Sequence, residues 1–436
     1  MGVMDDINSM GLKFKDQFSL GAASAATQIE GGECNHNWND WYHRGRIKDH
    51  TDPARATDHY HLWKQDADLM AEMKLKFYRL GIEWARICPK EGEADEAAIG
   101  HYREELIYLK EKGISVLLTL HHFTNPMWFE KKGGFTKREN LHYYIDFVGL
   151  AVEAFGDLVS EYITINEPNV YATNSYYFGE WPPGDKSISR AITVMSNMTI
   201  CHIEAYRLIH SKRRKMGFND TKVSFANHVR VFDPKNPKNL WHYVCARLLE
   251  RFFQGAVTEA MLTGKFRWPL RRAKEIKRGE YADFIAINYY TRTAVSGFGD
   301  GTRQDAPKND LGWEIYPEGL IRCTRKVCQV LKRPVYITEN GTCDNQDAFR
   351  CKYIYEHLKA ITESDLPIKR YYHWCFCDNF EWVEGESARF GLVHVNYETQ
   401  ERIIKRSGEF YTRMIEDNGI SEAAYDEFVK YQIYHN

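Results

Sequence analysis

The chain has 436 residues, of which 43% are hydrophobic and 14% aromatic, so it can bury one large α/β barrel or two to three smaller domains. The formal net charge of −2 argues against nucleic acid or an anionic membrane surface as a partner. Residues 1–18 lack the apolar run of a signal peptide, no later run is long enough to span a membrane, and the ten scattered cysteines are typical of reduced thiols, so we expect a cytoplasmic protein.

Eight segments rich in β-branched or aromatic residues alternate with amphipathic segments along the chain. The predicted strands are residues 18–29, 77–87, 114–121, 162–165, 222–227, 283–288, 334–338 and 368–376. The predicted helices include residues 60–74, 102–112, 141–155, 191–215, 317–331 and 350–362. Alternation indicates a parallel sheet, and eight repeats without a linker predict a single (β/α)8 TIM barrel with enlarged βα loops over residues 1–436.

Two polar segments lie between predicted elements. Residues 265–278 are basic, and a solvated loop or helix face is favoured over an anion site because the chain as a whole is not basic. Residues 297–312 are polar and rich in glycine, which predicts a long exposed loop after the sixth strand.

Two glutamates stand where apolar, β-rich segments end. Glu167 lies in the string TINEP at 164–168, and Glu339 lies in ITENG at 337–341. They follow the fourth and seventh predicted strands, and the carboxyl ends of barrel strands are where barrels carry their catalytic groups. Paired carboxylates facing a glycosidic bond are the usual equipment of sugar hydrolysis. The sequence therefore predicts a glycosidase site.

Several blocks in the same order extend this hypothesis over residues 18–411. They are FSLGAASAATQIEG at 18–31, NEP at 166–168, NYY at 288–290, TENG at 338–341 and DNFEW at 378–382. The chain resembles glycoside hydrolase family 1, the β-glucosidase family. The resemblance implies a (β/α)8 barrel that hydrolyses β-glycosides with retention, by a two-step displacement, without a cofactor or a metal.

The resemblance also assigns the residues of the reaction. It implies that Glu339 is the nucleophile and Glu167 the acid/base, and that Tyr290 and Arg79 lie beside Glu339, with Asn288 close by. Arg79 is expected to hold the pKa of Glu339 down. The negative charge of Glu339 should keep the proton on Glu167 until the glycosyl-enzyme forms. Retention predicts a carboxyl separation of about 5 Å.

A second set of residues resembles the family's sugar pocket. The resemblance implies that Gln28, His122, Asn166, Trp374, Glu381, Trp382 and Phe390 bind substrate. His122 is favoured over His121 because it aligns with the family histidine and because neighbouring strand residues point to opposite faces.

The chain departs from the family pattern at two of its predicted substrate-binding positions. Phe123 stands where most members have Trp, which predicts a weaker hold on the sugar 3-hydroxyl or tolerance of another sugar. Asn169 also replaces a frequent Trp, which predicts a wider or more polar outer site.

Other activities of the same scaffold remain to be weighed. Members acting on 6-phosphorylated sugars need a cationic site after the last strand, where this chain has Glu384 and Glu386, so an unphosphorylated small-molecule glycoside is favoured. Glu167 excludes a myrosinase-like enzyme, and the presence of both glutamates disfavours a catalytically dead binding module. A transglycosidase, the preferred sugar (glucose, galactose or fucose), the aglycone and the oligomeric state stay open.

Overall fold

The computed structural model describes residues 10–32, 35–299 and 301–435. Eight strands hydrogen-bond in parallel and in chain order, and the first also pairs with the last, so that they close into a barrel. The barrel strands are β1 Ser19–Ala23, β2 Phe77–Gly81, β3 Ser115–Thr119, β4 Glu161–Asn166, β5 Lys222–Pro234, β6 Ile285–Val295, β7 Val335–Asn340 and β8 Ile368–Trp374. The predicted (β/α)8 TIM barrel is confirmed; that residues 1–436 form one domain stays a prediction.

Helices lie between successive strands and after the last one. The longer helices are α1 His59–Glu72, α2 Glu96–Glu111, α3 Leu141–Phe155, α4 Ile188–Lys215, α5 Leu240–Glu250, α6 Ala256–Thr263, α7 Pro317–Val330, α8 Arg350–Glu363 and α9 Arg406–Asp417. Their starts follow from local chemistry: the Asp95 carboxylate accepts hydrogen bonds from two backbone amides of α2, and Pro317 opens α7.

Shorter elements fill the connections and the ends of the chain. Short helices are Ala26–Ile29, Asn37–His43, Trp84–Ile87, Met127–Lys131, Pro168–Thr173 and Glu422–Phe428, with 3₁₀ turns at Gly134–Thr136, Arg138–Asn140 and Trp382–Glu384 and π-helical turns at Asn174–Phe178 and Arg251–Gly255. Two small antiparallel pairs join Leu12–Lys13 to Gly419–Ile420 and Val393–Val395 to Arg402–Ile404.

The predicted strand boundaries are wrong in two opposite ways. The segments predicted at 18–29 and 77–87 end as strands at Ala23 and Gly81, because short helices follow; the Glu83 carboxylate caps the second by accepting from the Ala85 amide. In contrast, β5 and β6 run about seven residues past their predicted ends. These two extensions carry the chain beyond the barrel rim.

The basic segment 265–278 lies in a loop, as do residues 297–299 and 301–312, and both observations agree with the predictions. Among the described residues, no helix is long and apolar enough to cross a membrane.

The carboxyl ends of the barrel strands are packed closely: a Cβ on Gly341, just after β7, would come within 1.9 Å of the Trp374 carbonyl oxygen at the end of β8. Only glycine therefore fits between these two strand ends.

Candidate active site

A cavity of about 520 Å³ opens at the carboxyl ends of the strands and has both predicted glutamates in its wall. Of the other predicted residues, His122, Phe123, Tyr290, Trp374, Glu381, Trp382 and Phe390 also line it. Arg79, Asn166, Asn288 and Gln28 are fully buried beside these residues and hold them in place. The volume is in the range of small-molecule sites.

Glu339 lies near the end of β7, between a cation and a phenol. The Arg79 guanidinium, on β2, bonds its Oε1 through Nη1. The Tyr290 hydroxyl, on β6, donates to its Oε2 at 2.6 Å. Both partners stabilise the charged carboxylate that a nucleophile needs.

The net electrostatic balance at Glu339 differs from the sequence expectation. Burial raises the pKa of Glu339 to about 7, and the charge of Glu167 adds to the rise, whereas Arg79 and Tyr290 oppose it. The expected effect of Arg79 has the right sign, but the expected net direction is wrong, because complete removal from water outweighs one cation.

Glu167 follows β4 and has different partners. Its Oε1 accepts a hydrogen bond from Asn288 Nδ2 at 2.8 Å and lies 3.3 Å from His228 Nδ1. Its backbone has a left-handed φ of 43°, which is rare for a residue other than glycine. Such backbone strain is concentrated at functional sites.

One buried amide joins the two carboxylates. Asn166 Oδ1 accepts from Arg79 Nη2 at 2.7 Å and from Asn288 Nδ2 at 3.0 Å. Arg79 contacts Glu339 and Asn288 contacts Glu167, so five side chains, carried on or just after four different strands, form one continuous network. A shift in either carboxylate would therefore disturb the other.

Asn166 also fixes the protonation of His122. Because its oxygen already accepts two hydrogen bonds, its Nδ2 faces His122 Nε2 at 2.9 Å and must donate to it. Burial, and then the charge of Arg79, lower the pKa of His122 well below its usual value, so the ring is neutral with its proton on Nδ1. In the described part of the chain this buried Nδ1 has no hydrogen-bond partner.

Gln28 and Glu381 form a second polar group at the cavity. Gln28 Nε2 lies 2.8 Å from the Phe380 carbonyl and 3.2 Å from Glu381 Oε2. The Gln28 Oε1 is buried and has no partner among the described residues. Burial, followed by the charge of Glu339, raises the pKa of Glu381 to about 8. A buried acceptor and the buried donor of His122 thus remain for ligand hydroxyls.

Aromatic rings surround these polar groups. Trp382 packs 5.8 Å from His122 and 5.2 Å from Phe123, measured between ring centroids, and Trp374 lies 5.8 Å from His122. Phe390 also lines the cavity, with its ring centroid 6.4 Å from that of Tyr290. Such flat apolar faces suit the C–H surface of a sugar ring.

Comparison with known proteins identifies the family of this site. The model of the family described as "Glycosyl hydrolase family 1" matches residues 10–420. The chain belongs to glycosyl hydrolase family 1. It is therefore a glycosyl hydrolase, and the family is a retaining one.

Relatives agree over nearly the whole chain. "Beta-glucosidase A" of Thermotoga maritima is 31% identical over 94% of this chain and 99% of its own length, and a "Beta-galactosidase" of Pyrococcus woesei is 28% identical over 96% and 100%. Among solved structures, a "beta-glycosidase from Pyrococcus horikoshii" superposes with a TM-score of 0.86 at 32% identity, covering 97% of this chain and all of that one.

One residue predicted to bind substrate does not reach the cavity of this family 1 chain. Asn169 is completely buried, and its Nδ2 donates to the His228 carbonyl at 2.8 Å. Its short side chain ties the helix Pro168–Thr173 to β5 instead of widening the outer site. The contact of Asn169 with the aglycone stays a prediction that this position in the fold does not support.

His228 and Arg230 are cavity residues that sequence reasoning missed. Both stand on the extension of β5 and, being two residues apart, point to the same side of the strand. Arg230 Nε lies 3.4 Å from His228 Nε2, whose other ring nitrogen faces Glu167. The alternating polar and apolar residues of 228–232 were the available signal for a longer strand.

The segment that follows β8 does not provide an anion site. Arg389 Nη1 donates to Asp378 Oδ2 at 2.8 Å, and its guanidinium lies over the Tyr397 ring. Glu384 pairs with Lys48. The cations here are already paired with carboxylates, which agrees with the sequence argument against a sugar phosphate.

Proposed function

We propose that this chain is a β-glucosidase that hydrolyses unphosphorylated β-glycosides by double displacement. Glu339 attacks the anomeric carbon while Glu167 gives its proton to the departing oxygen. Water then attacks the glycosyl-enzyme, and Glu167 takes a proton from it. The observation that carries the proposal is the unequal environment of the two carboxylates: a cation and a phenol on Glu339, amide and imidazole nitrogens on Glu167.

The contacts of Glu339 favour the role of nucleophile. Arg79 and Tyr290 stabilise its negative charge in the free enzyme. With a pKa of about 7 the carboxylate is partly protonated at neutral pH, so activity should increase as the pH rises through that value. This rise on the acid side of the pH profile reports the two coupled glutamates together and not Glu339 alone.

The contacts of Glu167 favour the role of proton carrier. Its Oε1 is contacted by Asn288 and by a ring nitrogen of His228, whereas the Arg79 guanidinium is bonded to Glu339 instead. The group that protonates the departing oxygen must differ in surroundings from the nucleophile, and the carboxyl that lacks the cation suits that role.

We assign sugar binding to the unpaired polar atoms of the inner cavity. Gln28 Oε1 would accept a hydrogen bond from one hydroxyl, and His122 Nδ1 would donate to another. Glu381, neutral below about pH 8, can do both. Trp374 supplies an apolar face. Glucose is chosen because relatives from Thermotoga maritima and Acetivibrio thermocellus are named beta-glucosidases, at 31% and 30% identity, whereas the relative from P. woesei, at 28%, carries the name of a galactosidase.

A panel of nitrophenyl β-glycosides at one concentration tests the proposal. The panel contains glucoside, galactoside, fucoside and 6-phosphoglucoside, and the glucoside should be hydrolysed fastest, with the β-anomer of glucose released first. A faster 6-phosphoglucoside or an α-anomer product would contradict it. Adding an alcohol as acceptor and measuring the alkyl glucoside formed separates hydrolysis from transglycosylation.

We also propose a cytoplasmic location. Nine cysteines lie in the described part of the chain, all of them unpaired, and seven of those are buried. Free thiols persist in a reducing compartment.

A further inference from the structure

The part of the cavity away from the sugar groups is walled by apolar side chains. This outer chamber is formed by Phe178, Leu248, Phe252, Phe253, Trp268 and Phe298. They come from the π-helical turn after β4, from α5 and the turn that follows it, and from loops on either side of β6. None of these elements belongs to the barrel itself, so the chamber is an addition to the strand ends that carry the glutamates.

Few polar groups in the outer chamber are available to a second sugar ring. The polar side chains at this end of the cavity are Thr173, Asn174, Tyr177, His228 and Arg230, together with the indole N–H of Trp268. The Thr173 hydroxyl donates to the Asn169 carbonyl at 2.8 Å, and Arg230 contacts His228. A second pyranose would place hydroxyls against the side chains of Leu248, Phe252 and Phe253, which offer them no hydrogen bond, and burying an unpaired hydroxyl is costly. The chemistry of the chamber therefore disfavours an oligosaccharide.

The rim of the chamber exposes unusually large apolar side chains. Trp268 is 66% exposed, Phe298 56% and Leu248 39%, although all three line the cavity. Trp241, on α5, packs edge-on against Phe298 with ring centroids 5.8 Å apart, and is 55% exposed itself. An apolar strip thus continues from the chamber onto the first turn of α5, where Leu240 is 76% exposed. A contiguous patch of this kind marks a binding surface.

We propose that the outer chamber binds a long alkyl chain, so that the substrates are amphiphilic β-glycosides with a lipid-like aglycone. The inference deepens the proposed function and rests on it. The sugar lies at Gln28 and His122, and the glycosidic oxygen lies at Glu167. The chain runs past Phe253 and leaves the cavity between Leu248 and Phe298. Hydrolysis breaks the anomeric C–O bond: the departing alcohol takes the proton of Glu167, and water supplies the hydroxyl of the sugar.

Chain length is the variable that tests the inference. With β-glucosides from methyl to octyl, each below its micellar concentration, kcat/KM should rise about threefold for each added methylene that the chamber buries. The rise should level off once the chain reaches the rim. A kcat/KM that is flat or falls with chain length would overturn the proposal, while hydrolysis of nitrophenyl glucoside in the same samples would leave the proposed function standing.

Two variants at the rim locate the effect. Leu248→Ser and Phe298→Ser should each reduce the ratio of octyl to methyl kcat/KM by about tenfold, because a polar side chain replaces the apolar contact. Tyr431→Ser, at a residue 80% exposed and outside the cavity wall, is the matched control and should leave the ratio unchanged. An unchanged ratio in both rim variants would contradict the placement of the chain.

Two further comparisons define the aglycone and its source. Octyl and 2-phenylethyl glucosides both release a primary alcohol of eight carbons, and the extended octyl chain should give the higher kcat/KM; the reverse would overturn the alkyl assignment.

Dodecyl glucoside, supplied as monomer or embedded in phosphatidylcholine vesicles, distinguishes a dissolved amphiphile from a lipid surface. Hydrolysis in either arm supports the proposal, and hydrolysis in neither overturns it.

Discussion

The inner and outer ends of the cavity are built by different means. At the inner end, Arg79, Asn288 and Glu339 stand on barrel strands and form one network of charged and polar contacts. At the outer end, Leu248 and Trp268 stand on α5 and on a loop, and neither belongs to the barrel. Rigid strand ends hold the reacting groups, whereas inserted helices and loops are free to vary with the leaving group.

This comparison separates two kinds of variant. A change at the inner end should affect every substrate, since all of them pass through the same reaction at the anomeric carbon. A change at the outer end should affect substrates according to their aglycones, as the rim variants above are designed to measure.

The largest expected effect is the loss of Glu339. Glu339→Gly should lower kcat on the order of 10⁴-fold or more for every glycoside, whatever its aglycone, because the covalent intermediate cannot form. Azide fits the space left by the carboxylate and should restore turnover of an activated glucoside. The product should be the glucosyl azide of inverted configuration, identified by NMR.

The control is Glu398→Gly, at an exposed turn residue outside the cavity wall, and it should behave as the wild type. An azide product of retained configuration would instead mean that the roles assigned to the two glutamates must be reversed. A loss confined to one class of aglycone would contradict the division between the inner and outer ends.

The sequence predicted the inner end well, because strand ends leave a strong local signal. Glu167 and Glu339 each follow an apolar run at the end of a predicted strand, and both lie in the cavity wall. Asn169 lies away from the cavity wall, because a motif position does not show which way a side chain points at the start of a short helix.

For the outer end the sequence predicted only a wider or more polar site, from Asn169; its apolar walls were not predicted, since they depend on how loops pack. The apolar residues of 240–253 read as an amphipathic helix, and nothing local shows that one of its sides faces a cavity. Likewise, β5 was expected to stop at residue 227, because 228–234 mixes charged residues with a terminal proline. That boundary error concealed His228 and Arg230.

An intermediate effect is expected at Arg79. Arg79→Met removes the cation that opposes the burial of Glu339, so the pKa of Glu339 should rise further above about 7. The acid limb of kcat/KM should move to higher pH, with a loss of about 10²-fold at pH 7 that is smaller at pH 8.5. Arg325→Met, which breaks an exposed pair with Asp365, is the control. An acid limb that stays in place would mean that Arg79 only supports packing.

The smallest effect is expected where the two ends meet, at His228. Arg230 can only donate hydrogen bonds, so His228 Nε2 is the acceptor and its proton lies on Nδ1, directed at Glu167 Oε1. This N–H stabilises the charged form of Glu167, which acts as base on the glycosyl-enzyme. His228→Phe keeps a ring against Tyr290 but removes the donor, whereas His228→Asn keeps an N–H near the same place.

For dinitrophenyl glucoside, whose kcat is governed by hydrolysis of the glycosyl-enzyme, His228→Phe should lower kcat about tenfold. Its kcat/KM should change much less, because that constant reports the first step, in which Glu167 starts protonated. His228→Asn should recover most of the lost kcat. Equal losses in kcat and kcat/KM, or no recovery with asparagine, would mean that His228 contributes only packing. Asn288 would then be the residue that positions Glu167.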